Sequence, residues 1–157
     1  MSTSSAEPIA VRFSGDHPTR AYPTDAGWDL SSSGPVVVPV RSIVKVRTGT
    51  FVDLPPGSYG MICSRSGLVA NHGLAVANAP GIIDSGYTGE IIATMVNLGS
   101  KPYRIEAGER IAQIVLGRTD GIIVPDAPPT LSNLARGENG HGSSATLDRQ
   151  TPRRSDD

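Results

Sequence analysis

Short runs of β-branched and aliphatic residues, separated by glycine and proline, recur along most of this chain. Such runs, bounded by turn residues, favour strands over helices. Turns are expected at Pro55–Gly57 and Leu98–Ser100, whose residues suit tight reversals. The one helical stretch is Ser66–Asn71, which Gly67 and Gly73 limit to one or two turns. The expected strands are Ile9–Phe13, Val36–Val40, Ile43–Leu54, Ser58–Cys63, Glu90–Leu98, Arg110–Leu116 and Ile122–Val124.

Many short strands with few aromatic residues suit a closed or double-layered β fold. Aromatic side chains make up 4% of the 157 residues, so aliphatic side chains must fill the core. Because this length fits one domain, we predict an all-β, jelly-roll-like distorted β-barrel with one short helix over residues 1–130. Residues 131–145 are then expected to form a flexible glycine-rich arm, and residues 146–157, which mix charges without an apolar period, a disordered tail.

Composition and charge narrow the range of partners. A formal net charge of −1 gives no electrostatic basis for nucleic-acid binding, so the expected partner is a small molecule. The lone Cys63 cannot form an internal disulfide, and with three histidines it offers no zinc-ligand spacing. Residues Met1–Pro8 lack the basic and apolar regions of a secretory signal, and no apolar run reaches membrane-spanning length. We therefore expect a cytoplasmic protein without a membrane partner.

Five segments contain candidate chemistry, and the first is Asp25–Leu30. Gly27 allows an unusual backbone turn, and the carboxylate of Asp29 suits a hard cation that prefers oxygen ligands. For one segment considered alone, an aspartate that caps its own turn is the more common arrangement. Both interpretations stay open at this point.

The second segment, Ser64–Leu68, places an arginine beside hydroxyls and a glycine at the start of the expected helix. Backbone amides at a helix start carry partial positive charge, and the Arg65 guanidinium is a fork that suits phosphate oxygens. The alternative is that Ser64 or Ser66 caps the helix while the arginine is solvated. The segment is therefore a candidate anion site.

The third segment, Asn78–Glu90, is expected to form a hairpin bent at Ser85–Gly86. Asp84 follows two isoleucines, so partial desolvation would make its carboxylate a better general base than a free one. A carboxylate that only caps the turn is an equally good explanation of this segment in isolation.

The fourth and fifth segments are Gly108–Gln113 and Arg136–Ser144. In the fourth, Arg110 and Gln113 are too far apart to share a strand face at a period of two, so in isolation both are interpreted as structural or solvated. The fifth is glycine-rich and can bind phosphate through its arginine, hydroxyls and amides. It is not a P-loop, because no lysine follows the glycines, and a disordered linker is its alternative interpretation.

Together and in this order, the five segments resemble the motifs of the trimeric dUTP diphosphatase (dUTPase) family. The resemblance spans Ile9–Ser144, and its most specific part is Gly-Ile-Ile-Asp-Ser-Gly-Tyr-Thr-Gly-Glu at residues 81–90. Arg-Ser-Gly-Leu precedes this run and Gly-Glu-Arg-Ile-Ala-Gln follows it, an agreement that chance does not explain. The resemblance implies a homotrimer with active sites at its subunit boundaries, each built from motifs of all three chains.

The resemblance also implies a reaction, in which dUTP is cleaved to dUMP and diphosphate; this limits uracil in DNA and supplies dUMP for thymidylate synthesis. In this family pattern Asp84 orients and deprotonates the water that attacks the α-phosphate, while Asp29 holds Mg²⁺ through coordinated water. The implied contacts to the α- and β-phosphates are Arg65, Ser66, Gly67 and Gln113, and those to the γ-phosphate, in a closing lid, are Arg136 and Ser143. Uracil is contacted by Asn78 and by the main chain of Ile82 and Ile83, and His141 stacks on it. Tyr87 lies against the sugar, and Ile92 and Gly142 complete the implied substrate contacts.

The sequence departs from the family pattern at four positions. Ser64 replaces the proline that usually precedes Arg-Ser-Gly, which implies a less rigid entry to the anion site. His141 stands where a phenylalanine is common. Asn139 and Ala145 replace glycines of the family pattern, and these two replacements bear on the geometry of the arm.

Two other functions remain open. A dCTP deaminase would share the fold and the phosphate site but needs a catalytic glutamate, for which Glu90 is the only obvious candidate. A regulatory binding role without catalysis is the other, although such a role has no need of Asp84 together with Asp29.

Overall fold

The computed structural model describes residues 10–119, which form eleven strands and one short helix. The elements are β1 (Arg12–Gly15), β2 (Gly27–Ser31), β3 (Val36–Val38), β4 (Ile43–Arg47), β5 (Thr50–Asp53), β6 (Ser58–Ser64), α1 (Ser66–His72), β7 (Leu74–Val76), β8 (Gly81–Asp84), β9 (Ile92–Asn97), β10 (Tyr103–Ile105) and β11 (Arg110–Arg118). Across these residues no helix is long and apolar enough to cross a membrane.

The strands form antiparallel sheets around an aliphatic core. One sheet has the strand order β2-β11-β6-β8, a second has the order β4-β9-β7, and two strand pairs, β1-β5 and β10-β3, complete the set in the described range. Leu30, Ile62 and Ile114 from the first sheet and Val46 and Met95 from the second are buried in one hydrophobic cluster. The prediction of an all-β fold with one short helix and an aliphatic core is confirmed.

Runs of β-branched residues correctly predicted several strands, but pairing with distant strands altered the bounds or the existence of others. The predicted strand Ile43–Leu54 is divided at Thr48 and Gly49, because β4 pairs with β9 whereas β5 pairs with β1. Strands β2, β7 and β10 were not predicted; each is short and obtains its hydrogen bonds from a distant partner rather than from strong local preference. The strand expected at Ile122–Val124 lies outside the described residues.

The hairpin expected within Asn78–Glu90 is wrong. Gly86 has a φ of 82° and Tyr87 N donates to Asp84 O at 3.2 Å, so the chain does turn at the expected place. The strands on the two sides of the turn belong to different sheets, however, because β8 pairs with β6 and β9 pairs with β4 and β7. The turn therefore presents Asp84 at the end of a sheet edge rather than at a hairpin tip.

A bulge in β11 changes which side chains share a face. The register with β2 shifts between Arg110 and Ala112, and Ile111 and Ala112 are both fully buried. The extra residue turns Arg110 to the same face as Gln113, which lies opposite Asp29. The expectation that Arg110 and Gln113 cannot share a face is therefore wrong, because strict period-two alternation does not hold through a bulge.

Candidate active site

Asp29 is held firmly within β2, on the face opposite the fully buried Leu30. On one side β11 pairs with it through Gln113. On the other side an isolated bridge joins it to Thr19: Asp29 N donates to Thr19 O at 2.6 Å, and Thr19 N donates to Asp29 O at 3.1 Å. Pairing on both sides fixes the direction of the Asp29 carboxylate.

The Asp29 carboxylate joins two arginines that are distant in the sequence. Its Oδ1 accepts from Arg65 Nε at 2.9 Å and its Oδ2 accepts from Arg110 Nη1 at 3.1 Å. Arg65 also donates from Nη1 to the Arg110 carbonyl at 2.8 Å. Two guanidinium groups against one carboxylate leave a net charge of +1, and the Arg110 side chain remains 50% exposed. The Asp29–Arg65–Arg110 cluster is therefore suited to an anion.

The start of α1 lies beside this cluster and has no side-chain cap. Arg65 occupies the N-cap position without a capping hydrogen bond, and no acidic residue lies in the first turn. Ser64 Oγ accepts from Val76 N at 2.9 Å instead, and Ser66 is exposed within the helix. The interpretation of Ser64 or Ser66 as an N-cap with a solvated Arg65 is thus wrong, and no side chain of the described residues caps the helix start.

Gln113 lies beside the cluster, where its Nε2 donates to the Ser64 carbonyl at 2.9 Å. A Cβ built on Gly27 would lie 3.0 Å from Cδ of Gln113 and closer still to its Oε1. Gly27 lies inside β2 and has no positive φ, so its expected role in an unusual turn is wrong. A side chain at residue 27 would therefore displace the Gln113 amide, which lies across the backbone.

The turn before β2 is capped by Asp25 rather than by Asp29. Oδ2 of Asp25 accepts from Tyr22 N at 2.9 Å, and Asp25 N donates to Tyr22 O at 3.1 Å. The turn-cap interpretation of this segment therefore applies to Asp25 and leaves the carboxylate of Asp29 to the arginines.

Asp84 ends β8, the edge strand of the four-stranded sheet. It is exposed, and Ile82, which points to the same face, is 55% exposed. Within residues 10–119 the Asp84 carboxylate makes no hydrogen bond or ion pair. The expected desolvation of Asp84 by neighbouring isoleucines is thus not provided by its own chain, and the turn-cap interpretation of its side chain has no support either.

Asp29 and Asp84 occupy the same sheet face but lie far apart. The order β2-β11-β6-β8 places three strand spacings between them. Asp29 is level with Cys63 and Asp84 is level with Tyr59, a difference of four residues along β6. At about 4.8 Å per strand and about 3.3 Å per residue, the two positions are roughly 20 Å apart along the sheet. One chain therefore does not bring these two carboxylates to one reacting group.

The chain matches the dUTPase family model over residues 14–145. This chain belongs to the dUTPase family. It is 42% identical to a deoxyuridine 5'-triphosphate nucleotidohydrolase of Nocardia farcinica over 86% of this chain and 82% of that protein. It is 38% identical to the enzyme of the same name from Clostridium kluyveri over 83% of this chain and 90% of the relative. The solved structure of the Staphylococcus bacteriophage 80alpha dUTPase with dUPNHPP superposes with a TM-score of 0.77, at 27% identity, over 87% of this chain and 99% of that one.

The predicted membership of the dUTPase family is confirmed, and so, at the level of the family, is the predicted enzyme class. The structure brings close together only some of the substrate-contact residues that the dUTPase resemblance implied. Arg65, Ser66, Gly67 and Gln113 lie together with Asp29 around the start of α1.

Asn78 precedes β8 and is exposed, Ile82 and Ile83 lie on β8, and Ile92 begins β9 in the other sheet. Because β8 is an edge strand, part of its main chain faces away from β6 and is free of strand pairing in the described sheet, as base recognition would require. Arg136, His141, Gly142 and Ser143 lie outside the described residues, as do the predicted arm and tail.

Glu90 ends the dUTPase-like run, and both of its carboxylate oxygens have hydrogen-bond partners. Its Oε2 accepts from Arg47 Nε at 2.9 Å and pairs with Arg47 Nη2 at 2.8 Å, while its Oε1 accepts from Gly49 N at 2.8 Å. The hydrogen bond from Arg47 lowers the pKa of Glu90, burial opposes this, and the Gly49 amide adds to the lowering. A carboxylate held ionised in this way is a poor proton-transfer group, so Glu90 does not suit the role of a deaminase glutamate.

The donor set around Asp29 limits how a dUTPase of this sequence could hold Mg²⁺. Both Asp29 oxygens already accept from arginines, and residues 10–119 contain no group of three or more His, Cys, Asp or Glu side chains placed to bind a metal directly. Mg²⁺ commonly keeps several waters and takes its remaining ligands from one carboxylate and the substrate's phosphates. These contacts are compatible with the expectation that Asp29 holds Mg²⁺ through water, which stays a prediction.

Proposed function

We propose that this chain hydrolyses dUTP to dUMP and diphosphate, in a homotrimer whose active sites lie at the subunit boundaries. The observation that carries the proposal is the Asp29–Arg65–Arg110 cluster at the open start of α1, on the same sheet face as the exposed Asp84. Membership of the dUTPase family supports the substrate and the reaction.

The separation of Asp29 from Asp84 supports a site shared between chains. A general base has to lie within hydrogen-bonding distance of the water it activates, about 2.6 to 3.2 Å. Two groups roughly 20 Å apart along a sheet cannot both serve one α-phosphate. A neighbouring chain that brings its Asp84 to this chain's arginine cluster resolves the conflict. When the same contact is repeated head to tail with a suitable rotation, it closes a ring, and the family resemblance indicates three members.

The arginine cluster provides the binding site for the triphosphate. Arg65, Ser66, Gly67 and Gln113 lie together at the start of α1, and Arg110 adds a second guanidinium beside Arg65. Their combined charge and donor groups match the α- and β-phosphates. The arm residues Arg136, His141, Gly142 and Ser143 would then cover the γ-phosphate and the uracil, which excludes water and fixes the triphosphate for attack.

The reaction itself requires positioning and charge neutralisation more than covalent catalysis. The Asp84 carboxylate accepts a proton from a water molecule as the water oxygen bonds to the α-phosphorus, and the bond from that phosphorus to the oxygen bridging to the β-phosphate breaks, releasing diphosphate. Mg²⁺, when bound, would supply neutralisation of phosphate charge, and Asp29 would hold it through water. Arg65 and Arg110 add fixed positive charge beside the phosphates, and Asp29 keeps them in place.

Selection for deoxyuridine follows from the edge of β8 and the turn after it. Asn78 and the main chain of Ile82 and Ile83 match the uracil edge, so that cytosine leaves polar groups unpaired. The exposed ring of Tyr87 lies against the sugar and leaves no room for a ribose 2′-hydroxyl. In the cell this activity would limit uracil in DNA and supply dUMP for thymidylate synthesis; a cytoplasmic location stays a prediction.

The proposal is tested by measuring diphosphate release from each deoxynucleoside triphosphate and from UTP, with Mg²⁺ and with a chelator. Turnover confined to dUTP and abolished by the chelator is the expected result. Release of ammonia from dCTP would instead support the deaminase, and an absence of any reaction at full nucleotide binding would support a regulatory binding role. Sedimentation of the same preparation measures whether the chain forms a trimer.

A further inference from the structure

We infer that Gly89 and Glu90 are positioning residues that fix the ring of Tyr87 and thereby set the preference for deoxyribose over ribose. The inference rests on the proposed function, in which Tyr87 lies against the sugar. It goes beyond that function by naming the two residues that hold the Tyr87 ring rigidly against the sugar.

The Tyr87 ring lies directly across Gly89. A Cβ built on Gly89 would lie 2.6 Å from Cζ of Tyr87, 3.1 Å from its Cε2, and closest to its hydroxyl. These distances are shorter than a side chain at residue 89 permits, so the present ring position requires glycine. Gly89 is not among the glycines with positive φ, which means that its backbone itself would accept alanine. The conflict is thus with the ring alone, and the ring is the group that would move.

A hydrogen bond gives the ring its second restraint. The Tyr87 hydroxyl donates to the Glu90 carbonyl at 3.0 Å, which closes a small loop over Gly89. The ring is nevertheless 43% exposed, so it is not held by burial in a core. Contact with Gly89 and the bond to Glu90 therefore determine its orientation in this chain.

Glu90 is in turn fixed to the turn between β4 and β5. Its carboxylate is only 12% exposed and accepts three hydrogen bonds or charged contacts from Arg47 and from the Gly49 amide. The next residue is also tied to this turn, since Ile91 N donates to Thr50 O at 2.8 Å and Thr48 Oγ1 donates to Ile91 O at 2.7 Å. The carbonyl that receives the Tyr87 hydroxyl is therefore part of a rigid attachment rather than of a free loop.

The rigidity of the Tyr87 ring matters because a ring excludes the ribose hydroxyl by its size only when it cannot move aside. A ribose differs from a deoxyribose by one hydroxyl, and a ring that shifts slightly would admit it. A steric difference of this size is typically worth a factor of about 10 to 200 in discrimination. Displacing the Tyr87 ring should thus raise the relative use of UTP by about tenfold or more, while affecting the phosphate site little.

The experiment compares dUTP with UTP, both in turnover and in binding of their non-hydrolysable imido analogues. The variants are Gly89→Ala, Tyr87→Ala and Tyr87→Phe, with Gly34→Ala as the matched control, because a Cβ at Gly34 meets nothing within 4 Å and its φ is not positive. We expect Gly89→Ala and Tyr87→Ala to lower the deoxyribose preference by about tenfold, Tyr87→Phe to lower it less, and Gly34→Ala to leave it unchanged.

Two results separate this inference from the proposed function. If Tyr87→Ala loses the preference but Gly89→Ala keeps it, Gly89 does not fix the ring and the inference is wrong. If the wild-type chain hydrolyses no dUTP, the proposed function is wrong, and the binding ratio for the two analogues still decides the role of Gly89. Equal thermal unfolding of Gly89→Ala and Gly34→Ala would show that the change in preference is not a result of general destabilisation.

Discussion

Replacement of Asp84, the proposed general base, by asparagine is expected to separate chemistry from stability in this protein. Asp84 is exposed at the end of β8, and within residues 10–119 its carboxylate has no hydrogen bond or ion pair to lose. Asparagine has nearly the same shape, so the free energy of unfolding should change by less than about 0.5 kcal/mol. The amide, however, cannot accept a proton from the attacking water.

The expected loss of turnover follows from that single difference. A positioned general base contributes a factor of about 100 to 10,000 to the rate, so kcat for dUTP should fall by that factor. This corresponds to about 3 to 5 kcal/mol in activation free energy. Binding should change little, because in the proposed site the phosphates are held by the Arg65 and Arg110 guanidinium groups, which pair with Asp29, rather than by Asp84.

The assay combines diphosphate release, calorimetric binding of dUPNHPP and urea denaturation of the same samples. Asp53→Asn is the matched control, because Asp53 also lies on a strand, is 75% exposed and has only a 4.0 Å ion pair to Arg12. A variant at Asp84 that keeps more than a tenth of the wild-type kcat would remove this residue from the role of base. A loss of stability well above that of the control would contradict the description of Asp84 as unattached.

Three further outcomes are expected. Asp29→Asn removes the carboxylate shared by two arginines, of which Arg65 is 26% exposed, so urea denaturation should show a loss of about 1 to 3 kcal/mol; no loss would contradict the cluster. Truncation before Arg136 should slow turnover greatly without dissociating the proposed trimer in sedimentation, and unchanged kinetics would exclude a lid. Burial and the hydrogen bond to Glu109 raise the pKa of Tyr103 from 10.0 to about 12. Its contribution to stability is therefore complete below pH 10.0 and is lost as the pH rises towards 12. Tyr103→Phe should remove this decrease in the free energy of unfolding between pH 10.0 and about 12.

Local sequence predicted the strands whose own residues favour extension. The predicted Ser58–Cys63 and Arg110–Leu116 correspond to β6 and β11, and the predicted helix corresponds to α1, which is followed by the C-cap residue Gly73 with a φ of 68°. Pairing between distant strands could not be predicted from local preference. The hairpin prediction assumed that strands adjacent in sequence are also adjacent in space, whereas β8 and β9 join different sheets.

The site was predictable as a set of residue types but not as an arrangement. The Arg65 motif indicates an anion site, and Arg65 lies in the positively charged cluster with Asp29 and Arg110; anion binding there stays a prediction. The participation of Arg110 was missed, because the bulge at Ile111 shifts the alternation by one residue and a bulge leaves no clear trace in a pattern of apolar positions. The ion pair between Arg47 and Glu90 was missed as well, since 43 residues separate its partners in the sequence.

The distance between Asp29 and Asp84 on one chain has a genetic consequence if the sites are shared as proposed. A gene copy encoding Asp29→Asn and another encoding Asp84→Asn would each give an impaired assembly when expressed alone. In mixed trimers, some boundaries would combine an intact Asp29 from one product with an intact Asp84 from the other. The two defective alleles would then complement each other within a single enzyme molecule, so selection acts on pairs of chains and not only on each chain by itself.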